Sequence, residues 1–304
     1  ANNAAGSGPS VDGSRGIEVV NATTAAHTTA LTITSAAGAN SNNKFYTNTI
    51  QNCNIGIALI GYADSSPFAN ADSGNDVGGS SALTGNTIIN FGGGGTTSAA
   101  AGIRTLAQYG LNINYNTINS NNGSGVNHAQ VLKGILVNAA TSANTTINNN
   151  TITLSSGGTS QALTGIENNA GSTPATNSVN INNNVITGCA YPGATSASFN
   201  GIINFASASY VSISGNSFSN NTIAGTTSTG GFINNSGAAT SVININNNTG
   251  AANSLNFTGG TSGSFNFIYN ASGASTATLN IMGNNVQGIV YSATASGVPV
   301  FIFN

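Results

Sequence analysis

Charge is what this sequence has least of. Four Lys+Arg and six Asp+Glu make up 3% of its 304 residues and leave a formal charge of −2, against about 25% charged residues in an average globular domain. Four scattered cations cannot track a phosphate backbone, so no nucleic-acid partner is expected. A polybasic membrane anchor is excluded for the same reason. No apolar run approaches the roughly 20 residues that span a bilayer, so no membrane insertion is expected. There is no Trp, one Met and two Cys. None of the 137 residues after Glu167 is Asp, Glu, Lys, Arg or His, which leaves the C-terminal half without an ordinary general acid or base. The chain opens at Ala1 without an initiator Met, as a processed or trimmed chain does.

Amides and hydroxyls replace the missing charge. Asn supplies about a sixth of the chain, with 40 Gly and abundant Ser and Thr. Such a composition alone suggests disorder, but the aliphatic residues recur in fixed short motifs. One reads apolar, any, apolar, two residues, Asn, any, apolar, as in LNINYNTI (Leu111, Ile113, Asn116, Ile118) and VNINNNVI (Val179, Ile181, Asn184, Ile186). Its Asn recurs as Asn48, Asn86, Asn116, Asn150, Asn184, Asn216, Asn248 and Asn284, spaced 30 to 38 residues apart, with Gly250 at the last apolar place of one copy. A second motif, Gly followed by an apolar residue, interleaves with the first. It gives a core series Ile17, Ile57, Ile103, Ile135, Ile166, Ile202 and Phe232, continued without the Gly by Phe267 and Phe301.

Each unit thus carries three short strands that cannot bury their inner faces alone; stacked coil on coil they pair in parallel at about 4.8 Å and share one core. The spacing predicts a single all-β domain over 1–304, with a lead-in over 1–15 and about eight to nine three-strand coils over 16–304, or a piece of a longer solenoid. The recurring Asn is expected at a two-residue turn, where it tolerates left-handed backbone and bonds to its counterpart one coil away, forming an Asn ladder. A helical reading fails because no 3.6-residue apolar stripe persists. A sandwich or propeller gives no reason to repeat one turn residue per coil.

On these motifs the chain resembles the right-handed parallel β-helix class typified by pectate lyases, and especially the Asn/Thr/Gly-rich repeats of secreted and surface proteins of bacteria. The resemblance covers about residues 16 to 304. It implies a fold and no one activity, since the class includes polysaccharide lyases and hydrolases, adhesins, tailspikes and structural fibres.

Few residues could carry chemistry. Glu18, Arg104 and Glu167 each follow the Ile of a Gly-Ile motif and are expected in one outward column, where enzymes of the resembling class place active-site residues. Two coils separate each pair, putting the carboxylates ~19 Å apart, too far for glycosidase carboxylates, which sit about 5 to 9.5 Å apart. No catalytic residue is therefore assigned. Asp72, Asn75 and Asp76 could offer oxygens to a calcium ion, but their spacing does not match an EF-hand loop; a polar surface loop, with no cofactor or metal, is the expectation. His27 and His128 lie in different inserts without ligand spacing. Cys53 and Cys189 fall in one column about four coils apart, ~19 Å, far beyond disulfide reach, and read as small core residues. A hydroxyl-rich column (Thr49, Thr87, Thr117, Thr151, Val185, Ser217, Thr249, Asn285) suggests an ice or surface lattice, though ordinary β propensity accounts for it. The aromatic candidates for a glycan platform are Tyr62, Tyr109, Tyr191 and Tyr210.

Alternation along the Gly-Ile strand predicts a second, outward series of Leu136, Glu167, Ile203, Ile233, Ile268 and Ile302. An aliphatic stripe there calls for a cover, either a loop or another subunit. VFIFN stops as a new coil begins and no capping helix is evident, so the ends are expected to be cut from a longer solenoid or to join head to tail. Together these features predict a non-catalytic structural or adhesive solenoid, extracellular or at the cell surface. It would associate with itself head to tail or laterally through Leu136, Ile203, Ile233, Ile268 and Ile302, and contact glycans or surfaces. The rival reading is a polysaccharide-binding module, lyase or hydrolase on the same scaffold.

Overall fold

The computed structural model describes residues 13–22, 30–93, 99–172, 176–271, 276–285 and 287–304. They form a parallel β-solenoid. The first sheet has nine strands, from Arg15–Val20 to Pro299–Phe303, each hydrogen-bonded to its equivalent one coil on. The second has eight, from Lys44–Phe45 to Thr278–Asn280, and the third seven, from Thr49–Gln51 to Thr249–Gly250. About seven turns therefore carry a strand in all three sheets, fewer than the eight to nine expected. The third sheet gives out at the eighth, where only a bridge between Thr249 and Asn285 remains. A fourth sheet that the motifs do not announce, from Ala190–Tyr191 to Ile289–Tyr291, lines the later coils.

The Asn ladder is continuous. Each Nδ2 from Asn48 to Asn248 donates to Oδ1 of the next Asn in the series at 2.8–3.1 Å, ending on Asn284. The backbone N–H of the same residue donates to that oxygen as well. From Asn86 onward, Nδ2 also reaches a backbone carbonyl of the preceding coil, such as Ile113 O from Asn150 at 2.9 Å. Two donors and two acceptor positions per carboxamide are thereby used, which is what a buried amide requires.

The left-handed backbone falls one residue earlier than expected. Thr47, Tyr115, Asn149, Asn183, Gly215, Asn247 and Gly283 have φ between 55° and 70°, and the ladder Asn that follows each does not. The turn residue bends the chain and the next residue points its amide inward, which is why the first varies among Thr, Tyr, Asn and Gly and the second does not.

Register on the first sheet corrects the series read from the Gly-Ile motif. Ile17, Ile57, Ile103, Ile135, Ile166, Ile202, Ile233, Ile268 and Ile302 form one column. Ile233 and Ile268, expected outward, are fully buried in the core, and Ile302 lies in the same inward column at the last rung. Phe232 and Phe267 are buried too, but at the register of the glycines. The cause is volume. In the first six coils a Cβ on Gly16, Gly56, Gly102, Gly134, Gly165 or Gly201 would lie 2.2–2.8 Å from Ile50, Ile88, Ile118, Ile152, Ile186 or Phe218 of the third sheet. In the seventh the large residue changes sides, and Phe232 replaces the Gly while Gly250 replaces the Ile. Phe232 stacks on Phe218 with centroids 4.4 Å apart and meets Phe267 edge to face at 5.2 Å. Ile17 is half-buried and Phe301 exposed, because each sits on a terminal rung of the sheet.

Candidate functional site on the outward face of the first sheet

Glu18, Arg104 and Glu167 do share one outward column, two rungs apart, as alternation requires. The same column holds Ala58, Leu136, Ile203, Asn234, Tyr269 and Phe303. Ile203 is in the expected column but buried, and Leu136 is half-buried against a small apolar cluster of Ile55, Ala58 and Ala101 that is separate from the main core. The expected aliphatic stripe is therefore reduced to a half-buried Leu136 and gives no support to lateral association.

The column does not assemble acids with acids. Glu18 pairs with Arg15, three residues earlier. Glu167 accepts from Lys133 Nζ at 2.7 Å and from Asn169 Nδ2 at 3.1 Å. Arg104 is buried. Elsewhere Asp64 accepts the backbone N–H groups of Ser65 and Asn70, and Asp76 accepts from Tyr46 OH at 2.7 Å and Gly79 N at 3.1 Å.

Asp72 is fully buried at the corner between the first and second sheets. Its Oδ1 accepts from Asn21 Nδ2 at 2.7 Å and Asn40 N at 3.0 Å, and its Oδ2 faces Gln108 Nε2 at 3.5 Å. Asn75 Oδ1 is taken by both N–H groups of Asn43. The oxygens of Asp72, Asn75 and Asp76 thus meet separate sets of N–H and O–H donors rather than one common point, and no cluster of three His, Cys, Asp or Glu stands among the described residues. Burial raises the Asp72 pKa, opposed by these hydrogen bonds. A raised folded-state pKa means that the fold favours the protonated acid, so this residue's contribution to stability falls as pH rises above the ordinary carboxylate range. Urea titrations between pH 3 and pH 8 are expected to show that decline, and Asp72→Asn is expected to flatten it; an unchanged pH slope in the variant would contradict the assignment.

The remaining candidates are structural. His128 is buried, and its Nδ1 accepts Gly93 N–H at 3.0 Å; His27 lies outside the described residues. Cys53 and Cys189 are free and buried in the same column four rungs apart. Burial pushes their thiols up to about 11 and about 12. Little thiolate exists at neutral pH, so iodoacetamide is expected to label both only as fast as the solenoid opens, and labelling in native buffer at the rate of a free thiol would refute this.

The tyrosines named from sequence do not form a platform. Tyr191 is buried and donates to Gln161 O at 2.7 Å, Tyr109 packs on Phe68, and Tyr210 lies on the second sheet, bonded to Asn244. Tyr62 is half-buried in the loop after the second rung. The aromatic pair that the first sheet does carry, Tyr269 stacked on Phe303, lies in the outward column, one residue on from Ile268 and Ile302.

A second amide file could have corrected the register read from the Gly-Ile motif. Asn168, Asn204, Asn235 and Asn270 end strands of the first sheet, Asn304 follows the last, and Nδ2 donates to Oδ1 along this series at 2.7–2.9 Å. Counting back two residues from each gives the true Ile column. A third file lies outside the second sheet, where Oδ1 of Asn114, Asn148 and Asn182 accepts the backbone N–H of Asn148, Asn182 and Ser214.

The architecture defines a parallel β-solenoid held by files of asparagine. No protein-family model, curated protein or solved structure matches the chain. Among the described residues no helix is long and apolar enough to cross a membrane.

Proposed function

We propose that the chain is a non-catalytic structural and adhesive rod, acting outside the cell or on its surface. The observation that carries this reading is how the polar groups are spent. Each described carboxylate is engaged by a cation, an amide, a hydroxyl or a backbone N–H, while files of asparagine run along the axis. Such files place several hydrogen bonds at every coil, so local opening must break neighbouring coils together, and the rod resists proteolysis and pulling. Its Ser/Thr/Asn surface carries little charge to repel a neighbour.

Negative-stain imaging of the purified protein is the direct test, with rods or filaments of regular width expected. The rival reading, a polysaccharide lyase or hydrolase on the same scaffold, predicts shortened or unsaturated products from pectin or alginate. Turnover that Glu167→Gln abolishes would replace the structural reading with that one.

A further inference from the structure

The outward face of the first sheet is interrupted at one place. Where neighbouring rungs carry Lys133, Thr164, Asn200 and Asn266, the seventh carries Gly231, preceded by Gly230. The missing side chains open a groove of about 390 Å³ bordered by Thr229, Asn234, Asn266 and Tyr269. Asn234 Oδ1 accepts from Ser236 Oγ at 3.3 Å, which orients its amide. The Tyr269 ring stacks on Phe303 one rung on, with centroids 5.2 Å apart and planes 14° from parallel, so one of its faces is covered and the other is turned toward the rung of Gly231 and the groove.

This combination has a definite chemistry. An aromatic face packs against the C–H face of a pyranose ring, and carboxamides and a threonine hydroxyl both donate and accept, as sugar hydroxyls require. No charged side chain in the column selects an acidic sugar; toward the N-terminus the first is Glu167, two rungs before Asn234 and tied to Lys133. We infer that the groove at Gly231 binds a neutral polysaccharide, with a sugar ring stacked on Tyr269 and its hydroxyls on Asn234 and Asn266. The inference rests on the adhesive part of the proposed function and supplies its ligand class.

Native affinity electrophoresis tests it, with the full chain run through gels containing a soluble β-glucan, a galactomannan or an arabinoxylan, and polygalacturonate as the acidic comparator. At least one neutral polymer should retard the chain. Tyr269→Ala and Asn234→Ala should each weaken that retardation about tenfold, while Tyr269→Phe and the second-sheet variant Tyr210→Ala keep it, all with unchanged circular dichroism. Retardation by none of the neutral polymers, or by polygalacturonate alone, overturns the inference. So does retardation that folded Tyr269→Ala and Asn234→Ala proteins retain in full. Product release from a retarding polymer would remove the non-catalytic reading and leave the groove standing, whereas loss of binding in a chain that still forms rods removes only the groove.

Discussion

Replacing Asn150 by Ala is expected to lower the unfolding free energy by about 3–5 kcal/mol, more than most single substitutions do. Asn150 is fully buried at the middle of the ladder. Its Oδ1 accepts both N–H groups of Asn116 at 3.0 Å, and its Nδ2 donates to Asn184 Oδ1 and to Ile113 O. Truncation removes the acceptor of the Asn116 backbone N–H and takes one partner each from Asn116 Nδ2, Asn184 Oδ1 and Ile113 O, in a place water cannot reach. The orphaned N–H costs about 1–3 kcal/mol, and each of the other lost bonds adds about 0.5–1.5 kcal/mol. Asn150→Asp should be worse above the ordinary carboxylate range, since a buried anion would face Ile113 O and Asn184 Oδ1 where an N–H had been. Asn284, half-buried at the end of the same file, supplies the comparison: its truncation should cost about 1 kcal/mol. Urea unfolding midpoints measure both, and equal losses for the interior and terminal residues would refute the ladder as the source of the cost.

The solenoid and this ladder are legible in the sequence because both depend on a residue type that recurs at a fixed place. Only an amide can donate to the coil before and accept from it at the same rung, so Asn116, Asn150 and Asn184 could not vary, and their spacing marks the coil length. Register within the first sheet was not legible from the Gly-Ile motif. The motif marks where a side chain must be absent, and that requirement vanishes once Gly250 stands opposite. Phe232 and Phe267 then look like substitutes for Ile202 when they occupy the place of Gly201. The one-residue slip that follows turned the buried Ile233 and Ile268 into an apparent surface stripe, and kept Tyr269 out of the outward column. The fourth sheet was missed because its strands, such as Ala190–Tyr191, are two or three residues long and alternate too briefly to be seen.

Gly134→Ala is the other substitution expected to cost most, about 3 kcal/mol or more, although it adds a single methyl group. That Cβ would lie 2.5 Å from Gly165 O on the next coil and 2.7 Å from Ile152 Cγ2 across the core. The two contacts differ in kind. Ile152 can turn or be shortened, but the Gly165 carbonyl sits in backbone held on both sides by the pairs Lys133 with Thr164 and Ile135 with Ile166, and cannot retreat without disturbing them. Ile152→Val keeps the offending methyl, whereas Ile152→Ala removes it at the usual cost of a buried cavity, about 2–5 kcal/mol. If crowding against Ile152 were the whole difficulty, the double variant Gly134→Ala with Ile152→Ala would be little worse than Ile152→Ala alone. The backbone contact predicts instead that the two losses nearly add, with a coupling below about 1 kcal/mol. Gly123→Ala serves as control, because a Cβ there meets nothing within 4 Å and the expected loss, about 1–2 kcal/mol, comes only from its φ of 83°. A Gly134→Ala protein as stable as the Gly123→Ala protein would show that the coils can part enough to admit a methyl group, and that the glycine column reflects something other than the closeness of successive rungs.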